Sequence, residues 1–94
     1  MPALWRADKL LSKAEKSGVF PNDADAAEQE LTQQLAALRQ AEGPTAREHL
    51  GRALFALVRL ARSADLDPEA ALTETCQTFV AEFSQWEAAA EVEK

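Results

Sequence analysis

The chain contains no tyrosine, only three glycines and a single cysteine among its 94 residues. So little glycine and so few β-favouring aromatic residues argue against a sandwich or barrel of short strands joined by tight turns. One cysteine cannot form an internal disulfide. The longest apolar run, Ala53–Val58, is far below the roughly 20 residues of a membrane-spanning helix. The sequence therefore predicts a small all-α protein that neither relies on disulfides nor has a membrane as partner.

Basic residues are in the minority, with 10 against 16 acidic ones and a net charge of -6. Such a surface repels a phosphate backbone, so we do not expect nucleic acid as a partner. The segment Met1–Leu11 lacks the apolar core of a signal peptide, which favours a cytoplasmic location. At this length one domain is expected, over residues 1–89, with residues 90–94 as a frayed tail.

Four helices follow from the spacing of apolar residues and from helix-end signals. They are predicted at 3–17, at 26–42, from residue 45 onwards and at 68–89. Gly18 is placed to stop the first helix, and Gly43-Pro44 to end the second. Capping boxes, in which a side chain caps the first turn, are predicted at Asp25 and Thr45, and Asp67-Pro68 caps the fourth helix.

The third helix carries apolar residues around nearly its whole circumference, from Leu50 to Ala61. A helix of that kind has to be buried on most sides. We therefore predict that it is central, with Leu54 buried, and that helices of a partner subunit interlock with it in a homodimer or higher homo-oligomer. The fourth helix has an apolar seam, which places Cys76 and Phe79 in the core as well; its members are Leu72, Cys76, Phe79, Phe83 and Trp86.

The sequence offers few residues for known catalytic chemistry. His49 is the single histidine and Cys76 the single cysteine. Together they cannot supply the three or four ligands of a zinc site. They also lie on different predicted helices, which argues against a nucleophile paired with a base. The helical carboxylate spacings Glu-x-x-Glu and Glu-x-x-Asp are absent. No catalytic residue and no metal ligand is predicted.

The third helix also presents a polar stripe with two interpretations. Arg52 can pair with Glu48 one turn earlier, and the arginines can meet acids of a neighbouring helix. Alternatively, His49, Arg52 and Arg59 line a cleft that binds an anion such as phosphate or a nucleotide, because guanidinium groups bind oxyanions bidentately. The members of the stripe are His49, Arg52, Ala56, Arg59 and Ser63.

Two segments carry a family resemblance. The run LGRALFALVRLAR at residues 50–62, followed by LDPEAAL at residues 66–72 and Phe79, resembles the later half of a MazG-type nucleotide pyrophosphohydrolase domain. That family has E-x-x-E-L-G-D-L-L-F-A-L-V-N-L-A-R and then G-I-D-P-E-E-A-L. The resemblance implies an all-α, four-helix subunit that interlocks with a partner, and an activity that splits nucleoside triphosphates into monophosphate and pyrophosphate with Mg²⁺.

The residues that hold Mg²⁺ in the family are replaced in this chain. Carried over position by position, the family's acidic ligands become Gln33, Gln34, Ala37, His49 and Arg52, and a following asparagine becomes Arg59. A divalent ion about 4 Å from a guanidinium would be repelled by about 8 kcal/mol at an effective dielectric of 20. Mg²⁺ is therefore not expected to bind.

The resemblance without its ligands predicts a degenerate MazG-like domain, a pseudoenzyme that serves oligomerisation or binds an anion or nucleotide. One alternative is an active pyrophosphohydrolase with a non-standard site that uses Glu30, Glu48 or acids of a partner chain. Another is a helical adaptor without a ligand.

Overall fold

The computed structural model describes residues 2–92, which form four α-helices and no strand. They are α1 (Ala3–Lys16), α2 (Ala24–Gln40), α3 (Gly43–Ser63) and α4 (Pro68–Val92). The all-α class and the number of helices are thus as predicted. α4 continues three residues beyond the predicted end at 89, so part of the expected tail is helical; residues 93 and 94 lie outside the described part.

Two of the predicted helix ends are confirmed. α1 stops before Gly18, which adopts a φ of 77°, in the left-handed region that glycine enters without strain. At the start of α4, the Asp67 side chain accepts hydrogen bonds from the backbone N–H groups of Glu69 (3.0 Å) and Ala70 (3.3 Å). Asp67 therefore satisfies two backbone donors that have no partner within the helix.

The predicted ends around α2 and α3 need correction. Asp23 rather than Asp25 caps α2, since its side chain accepts a hydrogen bond from the Asp25 backbone at 2.9 Å. α2 already ends at Gln40, and Pro44 lies in the first turn of α3 instead of terminating α2. Proline is tolerated there because the first N–H groups of a helix have no internal partner. Thr45 is consequently helical and does not cap.

α2 and α3 form an antiparallel hairpin, since residues 41 and 42 alone separate them. α3 also packs against α1 and is the central helix of the chain. The buried core is small and consists mostly of alanines, which lets the helix backbones approach closely; its members are Leu11, Ala27, Ala53, Ala56 and Val58.

An ion-pair cluster fastens the end of α3 to α1. Arg62 donates hydrogen bonds to Glu15 through Nε (2.9 Å) and to Asp8 through Nη1 (2.8 Å). These hydrogen bonds, that to Glu15 first, raise the pKa of Arg62 above its already high ordinary value. All three side chains are about three-quarters removed from solvent. The guanidinium therefore remains charged and bridges two turns of α1.

α4 projects from the other helices. Its first two residues are half-buried, but every residue from Ala70 to Glu91 is exposed in the single chain. Phe79 is 54% exposed, and Cys76 is exposed as well. Leu54 on α3 is 43% exposed. The prediction that these three residues are buried is therefore wrong for the isolated subunit, because the described helices of the same chain do not cover them.

None of the described helices is both long enough and apolar enough to cross a membrane.

Candidate anion-binding cleft

An open cleft of about 350 Å³ lies where α2 meets α3. Residues 52, 55, 56 and 59 of α3 are three or four positions apart, so they share one face of the helix. α2 contributes one acidic side chain, Glu30, to the opposite wall. The cleft thus combines two guanidinium groups, an aromatic ring and one carboxylate; its lining residues are Glu30, Gly51, Arg52, Phe55, Ala56 and Arg59.

Arg52 lies at the solvent side of this cleft. Its Nη2 is 3.0 Å from the Glu48 carboxylate, and the two side chains are 58% and 59% exposed. The predicted pairing between Arg52 and Glu48 is confirmed. An exposed pair one helical turn apart stabilises a protein by only about 0.3–0.5 kcal/mol, so Arg52 can turn towards an anion at little cost.

Arg59 lies deeper and is held from two sides. Its guanidinium carbon is 5.2 Å from the centre of the Phe20 ring, a cation–π distance. Asn22 donates a hydrogen bond through Nδ2 to the Arg59 backbone oxygen at 2.9 Å. Both contacts come from the segment between α1 and α2; the first is to the guanidinium of Arg59 and the second to its backbone.

The Nε–H of Arg59 is buried and has no hydrogen-bond partner among the described residues, and the same holds for Oδ1 of Asn22. An unsatisfied buried polar group costs about 1–3 kcal/mol. The two atoms belong to residues that are already joined by the hydrogen bond from Asn22 to the Arg59 backbone.

A chain of hydrogen bonds joins Glu30 to His49 at the side of the cleft. Gln34 donates through Nε2 to Glu30 at 2.9 Å, so its amide oxygen faces Nδ1 of His49, at 2.6 Å. With the amide in this orientation, Nδ1 of His49 is the donor to the amide oxygen of Gln34. The imidazole is thereby fixed by the residue that faces it on α2.

The structure brings together some of the predicted site positions and separates others. Gln34 contacts His49, and Arg52 shares the cleft with Arg59. Gln33 instead lines another surface cleft, along α2 near its start.

Ala37, the remaining position, lines neither cleft. The antiparallel register explains this. Since Gln34 faces His49, residues earlier in α2 face residues later in α3, which places Glu30 rather than Gln33 near Arg52. Glu30 was predicted only as part of an alternative site. Phe55 was expected to be buried with the other apolar residues of the third helix, although its spacing from Arg52 and Arg59 fits the stripe.

The residues of the cleft do not suit Mg²⁺. This ion requires oxygen ligands in near-octahedral geometry, usually with carboxylates. Glu30 is the one carboxylate among the lining residues and is already hydrogen-bonded to Gln34. Within residues 2–92 no group of three or more His, Cys, Asp and Glu side chains is placed to hold a metal. Arg52 is largely exposed, so water weakens its repulsion of a cation below the value of about 8 kcal/mol given above. The lack of carboxylates is therefore the stronger reason why the cleft does not suit Mg²⁺.

The hairpin of α2 and α3, with α3 as the central helix, defines a small all-α domain. No family model matches the chain. It is 31% identical over 88 residues to the nucleoside triphosphate pyrophosphohydrolase/pyrophosphatase MazG of Thermotoga maritima. The chain is MazG-like, as its sequence motifs predicted. The similarity covers 93% of this chain but 34% of that relative, so the chain spans about a third of the relative's length.

Proposed function

We propose that the chain is a degenerate MazG-like domain that binds an anion between α2 and α3 and does not catalyse Mg²⁺-dependent pyrophosphohydrolysis. One observation carries the proposal: Arg52 and Arg59 line the same cleft, and Glu30 is the one carboxylate among its lining residues.

Charge supports an anion as the ligand. The lining residues include two arginines and one glutamate, in a chain whose net charge is -6. Arg52 and Arg59 are seven residues apart, which is about 10.5 Å along a helix axis. Two long side chains at that separation can converge on a phosphate chain and bind its oxygens bidentately.

The same residues argue against hydrolysis. In a magnesium-dependent reaction the ion activates the attacking water and stabilises the leaving pyrophosphate. The cleft offers one carboxylate, Glu30, where the family uses several, and Gln34 and His49 face each other at two of the former ligand positions. Binding without turnover is therefore the function that these side chains support.

We further propose that the domain functions as a homodimer or higher homo-oligomer. Its accessible surface is 7310 Å², whereas a compact monomer of this mass exposes about 5,400 Å². Its radius of gyration is 17.2 Å, against about 12 Å expected for a compact chain of this length. The excess of about 1,900 Å² per chain amounts to about 3,800 Å² in a pair, which falls within the range of obligate dimers.

Calorimetry tests the proposed anion site with inorganic tripolyphosphate in buffer that contains EDTA. We expect the wild type to bind, and Arg52→Gln and Arg59→Gln each to weaken binding at least tenfold because each removes a bidentate donor. Arg47→Gln is the matched control, since Arg47 is exposed on α3 outside the cleft, and its affinity should stay within about twofold. Excess Mg²⁺ should weaken binding, because the metal occupies the phosphate oxygens. No binding by the wild type, or equal losses in all three variants, would refute the site.

A further inference from the structure

A second cleft adjoins the first. It has a volume of about 240 Å³ and is lined by side chains of α1, of the segment that follows α1, and of α3. All of them are apolar: Leu10, Leu11, Ala14, Phe20 and Phe55. Phe55 lines both clefts, so its ring forms the boundary between a cationic region and an apolar one.

Arg59 connects the two clefts electrostatically. Its guanidinium lies over the Phe20 ring, and that ring forms part of the apolar cleft. An anion bound to Arg59 would therefore lie within a few ångströms of an apolar surface. Ligand sites commonly combine a mainly apolar wall with a few polar groups that orient the ligand.

We propose that the two clefts bind a single amphipathic anion, an organic phosphate monoester with an apolar ring or alkyl group. The phosphate is bound by Arg52 and Arg59, and the apolar group lies against Phe55, Phe20 and Leu10. This inference rests on the proposed anion site and adds the chemical class of the ligand.

The composition of the apolar cleft favours an apolar group over a nucleobase. A nucleobase presents hydrogen-bond donors and acceptors at its edges, and burial without partners is unfavourable for them. No side chain that lines this cleft carries a nitrogen or oxygen atom. A phenyl or short alkyl group requires no such partner and gains from the removal of its surface from water.

Nuclear magnetic resonance titration of the full chain in EDTA tests the proposal with two probes of equal charge, phenyl phosphate and methyl phosphate. We expect phenyl phosphate to bind about tenfold more tightly, which corresponds to about 1.4 kcal/mol, or about 55 Å² of apolar surface removed from water. Its resonance shifts should include Leu10, Phe20 and Phe55, whereas those of methyl phosphate should centre on Arg52 and Arg59.

Leu10→Gln is the test variant because Leu10 is 52% exposed, so the fold does not depend on its burial. It should remove most of the preference for phenyl phosphate over methyl phosphate. Leu35→Gln is the matched control, a leucine on α2 that is 47% exposed and lines neither cleft, and the preference should persist in it.

The outcomes separate this inference from the proposed function. If tripolyphosphate binds but phenyl phosphate binds no better than methyl phosphate, the anion site stands and the amphipathic ligand is refuted. Equal effects of Leu10→Gln and Leu35→Gln would also refute it. If none of the anions binds, both proposals fail, as they would if a second copy of the chain covers the clefts.

Discussion

The aromatic row on α4 offers a quantitative test of self-association. Phe79 stacks on Phe83 with ring centres 6.1 Å apart, and Trp86 meets Phe79 edge-on at 6.1 Å. All three rings are about half exposed in the single chain. Clustered, half-exposed aromatic side chains are typical of surfaces that a partner buries.

Phe83→Ala is the perturbation. Full burial of a phenylalanine side chain stabilises by about 1.5–3 kcal/mol, and Phe83 is 48% exposed. Burial of the exposed half of Phe83 would therefore contribute about 1 kcal/mol per chain to the free energy of association. In a symmetric pair the residue occurs twice, which gives about 2 kcal/mol. This loss should raise the dimer dissociation constant about 30-fold.

Sedimentation equilibrium over a range of protein concentrations measures this constant. Gln85→Ala is the control, because residue 85 lies on the far side of α4 from Phe83 at helical spacing, and its constant should match that of the wild type. A wild-type chain that remains monomeric at tens of micromolar, or equal effects of the two substitutions, would refute the reasoning.

Two stability predictions follow from local structure. Asp65 adopts a φ of 60° just after α3, and this left-handed conformation costs a non-glycine residue about 1 kcal/mol. Asp65→Gly should therefore raise the melting temperature by a few degrees in a thermal melt. An unchanged or lower melting temperature would contradict this. Arg62→Met removes the hydrogen bonds to Glu15 and Asp8 and should lower the free energy of unfolding by about 1–3 kcal/mol in urea denaturation. Arg47→Met, at an exposed position of the same helix, is its control, and an equal loss there would show that the ion pairs contribute nothing.

Local signals predicted the helices well where the chain itself supplies the partners. Gly18 and Asp67 act on backbone groups within a few residues, so their roles are visible in the sequence. The prediction that Gly43-Pro44 ends α2 was wrong because the same dipeptide fits either the end of one helix or the first turn of the next. The short connection between α2 and α3 decides between the two.

Contacts between helices were less predictable. The cluster of Arg62 with Asp8 and Glu15 joins positions 47 and 54 residues apart, and nothing in helical spacing indicates which charges will meet. The position of Glu30 beside Arg52 depends on the register of α2 against α3, which a carry-over from family motifs does not determine. Burial of Leu54 and Phe79 was inferred from their apolar character, but a single chain lacks the helices to cover them.

The central claim is that the MazG-like scaffold persists without magnesium-dependent hydrolysis. The most direct measurement is pyrophosphate release from a panel of nucleoside triphosphates, with Mg²⁺ and then Mn²⁺, at high concentration of folded protein. The account predicts no turnover above the uncatalysed rate. Turnover that requires the metal and is abolished by Glu30→Gln, Glu48→Gln or His49→Gln would contradict it and would establish an active site of unconventional composition.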